Sequence, residues 1–204
     1  LNEGLKLHPL EEQRKSVGKW RQIGLGTMGL GDMLIMMGLK YGSPESLEFI
    51  EKVYKLILIE SIKESLELAK KYGCYEDCDK EKLIQSDIVK NLNLPDDLIN
   101  EIKKYGLYNS QLLTCAPTGS IGTYLKLSTG VEPHYSLKTY TRRTVSLNKE
   151  EKEYEVIPDI ILRYAKVTGN DITKLPDYFV DSDSQDVIEE NNNKIELIKN
   201  KLCI

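Results

Sequence analysis

The chain has 204 residues, of which 40% are hydrophobic and 29% charged, and its formal net charge is −4. That balance suits a soluble domain with a core of its own and excludes a disordered tail. Lysines and arginines alternate with acidic residues instead of forming a basic stripe, so duplex nucleic acid has no electrostatic footprint. No apolar run reaches the ~18 residues needed to span a bilayer, and no secretory leader opens the chain, so the expectation is a cytoplasmic protein without a membrane partner. A first residue other than Met is expected of a piece of a longer chain, and equally of a processed N-terminus.

The predicted elements follow in chain order. Pro9 to Trp20 is polar and helix-favouring. Gln22 to Leu39 is apolar and rich in glycine, and reads as a closely packed helix with Ile23, Leu30, Leu34 and Met37 toward the core. Ser43-Pro44-Glu45 announces a helix start through a capping hydroxyl, a proline at the first position and an acid at the positive dipole end. Leu47, Ile50, Tyr54, Ile57, Ser61 and Leu68, with Val53 and Ile62 beside them, predict one amphipathic helix over 44–72, closed by Gly73.

Further helices are expected around Lys80 to Asn91 and from Pro95 to just before Gly106. Gln111 to Cys115 reads as a short strand, Ala116 to Gly122 as a loop of small and turn residues, and Lys138 to Val145 as a second strand. Helix is expected again from Glu151 to Val167, bent or restarted at Pro158. Residues 1–180 then form one domain. Residues 181–204 form a polar tail, with an acidic linker over Asp181 to Asp186 and a weakly amphipathic helix from Val187 to Leu202.

Of the four cysteines, only Cys74 and Cys78 are close in sequence. Their C-x-x-x-C spacing has no histidine nearby, His8 and His134 being distant, so reduced thiols are expected rather than a metal site or a disulfide framework. Gly24, Gly26 and Gly29 match the G-x-G-x-x-G fingerprint of NAD(P)-dependent dehydrogenases. The fingerprint needs a buried strand before it and an acid at a strand end about 20 residues on. Here a helix-like polar segment precedes it, and Glu48 and Glu51 fall inside the long helix, so dinucleotide binding is the rival reading.

The most informative stretch is Asn109-Ser110-Gln111-Leu112-Leu113-Thr114-Cys115-Ala116-Pro117-Thr118-Gly119-Ser120-Ile121-Gly122-Thr123. An apolar strand delivers the chain into a turn where Pro117 fixes one torsion, Gly119 is expected to take a positive φ, and Thr118 and Ser120 add hydroxyls. Successive backbone N–H groups there can form an anion-binding nest if a helix begins near Ser120; a plain strand-to-helix turn is the equal alternative.

Together with Arg21 to Leu34, Ser128-Thr129-Gly130-Val131-Glu132-Pro133, Tyr140-Thr141-Arg142-Arg143 and Leu175 to Val180, this stretch resembles the large subunits of ribonucleotide reductases over about residues 7–180. The resemblance implies a helix-rich α/β fragment, the second half of a ten-stranded α/β barrel. It also implies a loop, Pro117, Thr118, Gly119, Ser120 and Ile121, that binds substrate phosphate. The family's Asn-x-Cys-x-Glu radical motif does not occur in these residues, so the chain alone is expected to be inactive and to need an upstream half that carries it. A ribonucleoside di- or triphosphate is the implied substrate, and a homodimer of the complete enzyme is compatible with it. The wording of the loop is most similar to the adenosylcobalamin-dependent branch. Tyr108 departs from the pattern, which commonly has Arg there. A non-catalytic remnant serving as an interaction domain is the third reading.

Overall fold

The computed structural model describes residue 4 and residues 7–145 and 151–181. They group into two compact units. The first gathers the described residues up to Leu25 with Glu51–Thr114, and the second gathers Gly26–Ile50 with those from Cys115 onward.

In the first unit, helix α1 (Glu11–Trp20) leads into an extended segment. The expected helix over Gln22 to Leu39 shrinks to α2 (Leu30–Met36), which lies in the second unit. Leu25 instead makes a parallel bridge with Leu113, its N–H donating to the Leu112 carbonyl at 3.0 Å and its carbonyl accepting from Thr114 N at 3.0 Å. A Cβ on Gly24 would lie 2.9 Å from Thr114 Cγ2. That glycine therefore serves the close approach of two extended segments, not helix packing. Leu30 and Leu34 are buried as expected, whereas Ile23 and Met37 are exposed.

Helix α3 runs unbroken from Pro44 to Tyr72, as its capping and spacing predict. Ser43 Oγ accepts from Ser46 N at 3.2 Å, Lys70 and Lys71 occupy the last turn, and Gly73 takes the left-handed conformation at φ +81°. Its most buried apolar residues are Ile50, Leu58, Ile62, Leu66 and Ala69. The predicted Leu47, Tyr54, Ile57 and Leu68 are only half-buried, so the stripe lies to one side of the one read from the sequence.

The single helix expected over Lys80 to Asn91 is two, α4 (Lys80–Gln85) and α5 (Asp87–Leu92). Ser86 separates them in an extended conformation, ending α4 while its Oγ accepts from Val89 N to open α5. Ser86→Ala should lower stability by about 1 kcal/mol, the usual worth of an N-cap, in denaturant unfolding. Helix α6 (Asp96–Tyr105) ends at Gly106 as predicted. The core of this unit joins Leu58, Ile62 and Leu66 of α3 to Val89, Leu98 and Ile102. Gln111 to Cys115 contributes only the bridge at Leu113 and not a full strand.

In the second unit, α7 (Gly119–Leu125) precedes a two-stranded antiparallel sheet, β1 (Tyr140–Val145) and β2 (Glu151–Val156), registered from Tyr140 opposite Val156 to Val145 opposite Glu151. The helix expected from Glu151 is thus overturned in its first part. Glu151-Lys152-Glu153-Tyr154-Glu155-Val156 has helix-forming residues, but cross-strand pairing overrides that preference: Arg143 reaches Glu153 at 2.9 Å and Glu151 at 3.6 Å. Pro158 starts the true helix, α8 (Asp159–Thr168), instead of bending a longer one. Ile160 and Ile161 pack with Ile35, Leu137 and Phe179. The predicted linker beyond Asp181 and the terminal helix from Val187 to Leu202 lie outside the described residues. Among those described, no helix is long and apolar enough to cross a membrane.

Candidate functional site

The loop singled out in the sequence sits in the second unit, at the start of α7. Thr118 takes the left-handed conformation at φ 48° and ψ 29°, and the helix begins at Gly119. Helical geometry leaves the first N–H groups of such a helix without intrahelical acceptors. The first N–H used is that of Gly122, which donates to the Thr118 carbonyl at 2.8 Å. Gly119, Ser120 and Ile121 therefore present three successive N–H groups on an exposed turn.

One expectation is corrected here. Gly119 is not the residue with positive φ, and a Cβ built on it meets nothing within 4 Å. The left-handed residue is Thr118, where a β-branched side chain costs on the order of 1–3 kcal/mol. What holds it is a hydrogen bond: Gly130 N donates to Thr118 Oγ1 at 2.7 Å. The Thr118 hydroxyl keeps its own hydrogen for a further acceptor.

Gly130 belongs to a second turn that braces the first. Its φ is +54°, and a Cβ there would lie 2.8 Å from the Ala116 carbonyl oxygen. Two residues earlier, Ser128 is tied twice to α2 and once to Gly29, which precedes it. Ser128 N donates to Asp32 Oδ2 at 2.9 Å, Asp32 N donates to Ser128 Oγ at 3.3 Å, and Gly29 N donates to the Ser128 carbonyl at 2.9 Å. The other Asp32 oxygen pairs with His134 Nε2, and Asp32 is 3% exposed. Tyr41 adds a bond from its hydroxyl to the Val131 carbonyl at 2.7 Å.

Asp32, Ser128 and His134 were given no role in the sequence reading. The available signal was one acid inside an apolar, glycine-rich run, Leu30-Gly31-Asp32-Met33-Leu34, which a core accepts only when the carboxylate is hydrogen-bonded. These contacts also bear on the dinucleotide reading. Gly29 N, the last glycine of that fingerprint, is committed to Ser128, and the extended residues Gln22 and Ile23 just before the motif are exposed where a buried strand is required.

In the first unit, Tyr108 is buried and lies against Arg21, whose guanidinium carbon sits 4.4 Å from the ring centroid. The fixed charge expected from the pattern is thus replaced by an aromatic face that receives a cation from elsewhere in the chain. Cys115 is a free, half-buried thiol.

The geometry defines an α/β chain with a helix-start loop of exposed N–H groups. Residues 4–196 match the family described as ribonucleotide reductase, barrel domain. The chain is 31% identical over 169 residues to the ribonucleoside-diphosphate reductase large subunit of Variola virus, an alignment covering 78% of this chain and 21% of that protein. It is 31% identical over 152 residues to the large subunit of Arabidopsis thaliana, covering 68% and 18%. It is 30% identical over 174 residues to the vitamin B12-dependent ribonucleoside-diphosphate reductase of Thermoplasma acidophilum, covering 79% and 20%. The chain belongs to the ribonucleotide reductase barrel-domain family. It spans about a fifth of the length of these curated relatives.

Proposed function

We propose that the chain is part of a ribonucleotide reductase that converts ribonucleoside diphosphates to deoxyribonucleotides in the cytoplasm, and that Pro117 to Ile121 receives the substrate phosphate. The observation that carries this reading is the set of successive N–H groups at Gly119, Ser120 and Ile121, held by the bond between Thr118 and Gly130. Such a set favours an anion through hydrogen bonding and through the positive end of the helix. The diphosphate is preferred to the triphosphate because the relatives described above are named ribonucleoside-diphosphate reductases.

The radical chemistry belongs to another part of the complete enzyme, since the Asn-x-Cys-x-Glu motif does not occur in these 204 residues. The chain alone should turn over no ribonucleotide. An upstream half is the partner, and Ile121, Tyr124 and Leu125, exposed on α7, are apolar surface for it to cover. A homodimer of the complete enzyme is compatible with this reading. Adenosylcobalamin is the cofactor proposed for the complete enzyme, supported by the wording of the loop and by the Thermoplasma acidophilum relative.

The test is nucleoside-diphosphate affinity in an enzyme completed with its upstream half. Gly119→Val is a clean probe because open space surrounds the new side chain and no left-handed torsion is disturbed. It should weaken binding by at least about tenfold, or ~1.4 kcal/mol, by crowding the approaching phosphate. Ser120→Ala should be milder, at about 0.5–1.5 kcal/mol for one neutral hydrogen bond. Unchanged affinity in a folded Gly119→Val enzyme overturns the phosphate role, and no nucleotide affinity in the completed wild type favours the remnant reading.

A further inference from the structure

The connector between α3 and α4 carries a feature that the phosphate loop does not use. After Gly73 the chain folds back on itself: Tyr75 N donates to the Leu107 carbonyl at 3.1 Å and Cys78 N to the Tyr75 carbonyl at 3.1 Å. This turn lays both cysteines against one backbone position, Gly106. A Cβ built there would lie 2.8 Å from Cys74 Cβ, 3.4 Å from Cys74 Sγ and 2.9 Å from Cys78 Sγ. The space a side chain would fill at Gly106 is taken by two sulfurs. Both thiols are free and half-buried, within reach of a small reagent.

We propose that Cys74 and Cys78 form a reversible thiol–disulfide exchange site whose co-reactant is a low-molecular-weight disulfide. Two thiols gathered beside one backbone position within a five-residue turn can approach one another by side-chain rotation, the proximity that a disulfide requires. Metal capture is the lesser use, because the described residues bring no third ligand.

The exchange balances as follows. The Cys74 thiolate attacks one sulfur of the external disulfide, that S–S bond breaks, and one thiolate leaves. Cys78 then gives its proton to solvent and attacks the Cys74 sulfur, expelling the second thiolate. Two protein thiols are oxidised to one disulfide while the external disulfide is reduced to two thiols. Burial pushes the Cys78 thiol up, opposed by hydrogen bonds from Leu107 and Tyr75, so its thiolate is scarce and its nearness to Cys74 is what favours the second, intramolecular attack. Burial first, with Cys78 beside it, pushes the Tyr75 hydroxyl up to about 12, so it remains a neutral donor throughout.

The same turn anchors the end of α1. Glu76 N donates to the Lys19 carbonyl at 3.1 Å, Lys19 pairs with Asp77 at 2.6 Å, and Arg21 Nη1 donates to the Gly73 carbonyl at 2.8 Å. Trp20, the chain's single tryptophan, lies 6.2 Å from the Tyr75 ring between centroids. The redox state of the pair should therefore be reported by Trp20 fluorescence.

The experiment incubates the full chain in oxidised glutathione, alkylates remaining thiols and digests with trypsin. Cleavage after Lys71 and Lys80 places both cysteines in one peptide, Tyr72 to Lys80. The expected result is that peptide lacking two hydrogens and refusing alkylation, restored by dithiothreitol, and formed equally in a Cys115→Ser, Cys203→Ser chain. Trp20 emission should change with oxidation in that chain and stay constant when Cys78→Ser is added. The proposal is overturned if both cysteines alkylate after oxidation, if the peptide carries glutathione instead of an internal bridge, or if either cysteine is linked to Cys115 or Cys203. Trp20 emission that is blind to a formed bridge overturns the coupling to α1.

Discussion

Asp32→Ala should destabilise the folded chain by about 3–5 kcal/mol, because the buried Ser128 N–H and the partly buried His134 lose their acceptor together. Asp32→Asn should cost less, since an amide oxygen still accepts from Ser128 N. Denaturant unfolding of both variants gives the comparison. A loss within ~0.5 kcal/mol for the alanine variant, the scatter of ordinary surface changes, would show that this carboxylate does not brace the turn. The effect should extend to nucleotide affinity in a completed enzyme, because Ser128 fixes the turn that carries Gly130.

Gly130→Ala is the second large effect, expected at about 2–5 kcal/mol from two separate sources. A left-handed torsion costs an L-residue about 1–2 kcal/mol, and a methyl group 2.8 Å from the Ala116 carbonyl must displace backbone, with an overpacking cost of about 1–3 kcal/mol. Gly169→Ala separates the two. It has a similar φ of +71° but open space around the added carbon, so only the first cost applies. If both variants lose the same stability, the contact with Ala116 contributes nothing. If Gly130→Ala loses more, as expected, the Ala116 carbonyl has been pushed and Thr118 with it, and the completed enzyme should bind nucleotide at least about tenfold more weakly.

The sequence carried the long helix almost to the residue, because its signals are local: a Ser-Pro-Glu start, an apolar repeat and a terminal glycine lie within one stretch of chain. The turn at Pro117 and Thr118 was legible for the same reason, whereas Gly119 to Gly122, read as loop, form the first turn of α7, which starts one residue from where a helix was expected. Three features were not legible. Glu151 to Val156 reads as helix because glutamate and lysine favour it, and only the pairing with Tyr140 to Val145 makes it a strand. The assembly of Asp32, Ser128 and His134 joins residues about a hundred positions apart, and no local rule connects them. The placement of the positive φ at Thr118 rather than Gly119 is a third case. Residue type pointed to the glycine, but the hydrogen bond from Gly130 outweighs the steric preference.

The ribbon of β1 and β2 has a consequence for self-association. Its burial pattern is almost wholly exposed, and among the described residues neither long edge is covered by a third strand. Uncovered edges invite pairing between copies unless charge forbids it. β2 carries Glu151, Lys152, Glu153 and Glu155 in six residues, so a second copy aligned along that edge would bring carboxylates together at close spacing. The acidic composition that disguised this strand as a helix opposes such pairing. Drift toward valine or threonine there would improve strand propensity while removing the chain's protection against fibrous aggregation.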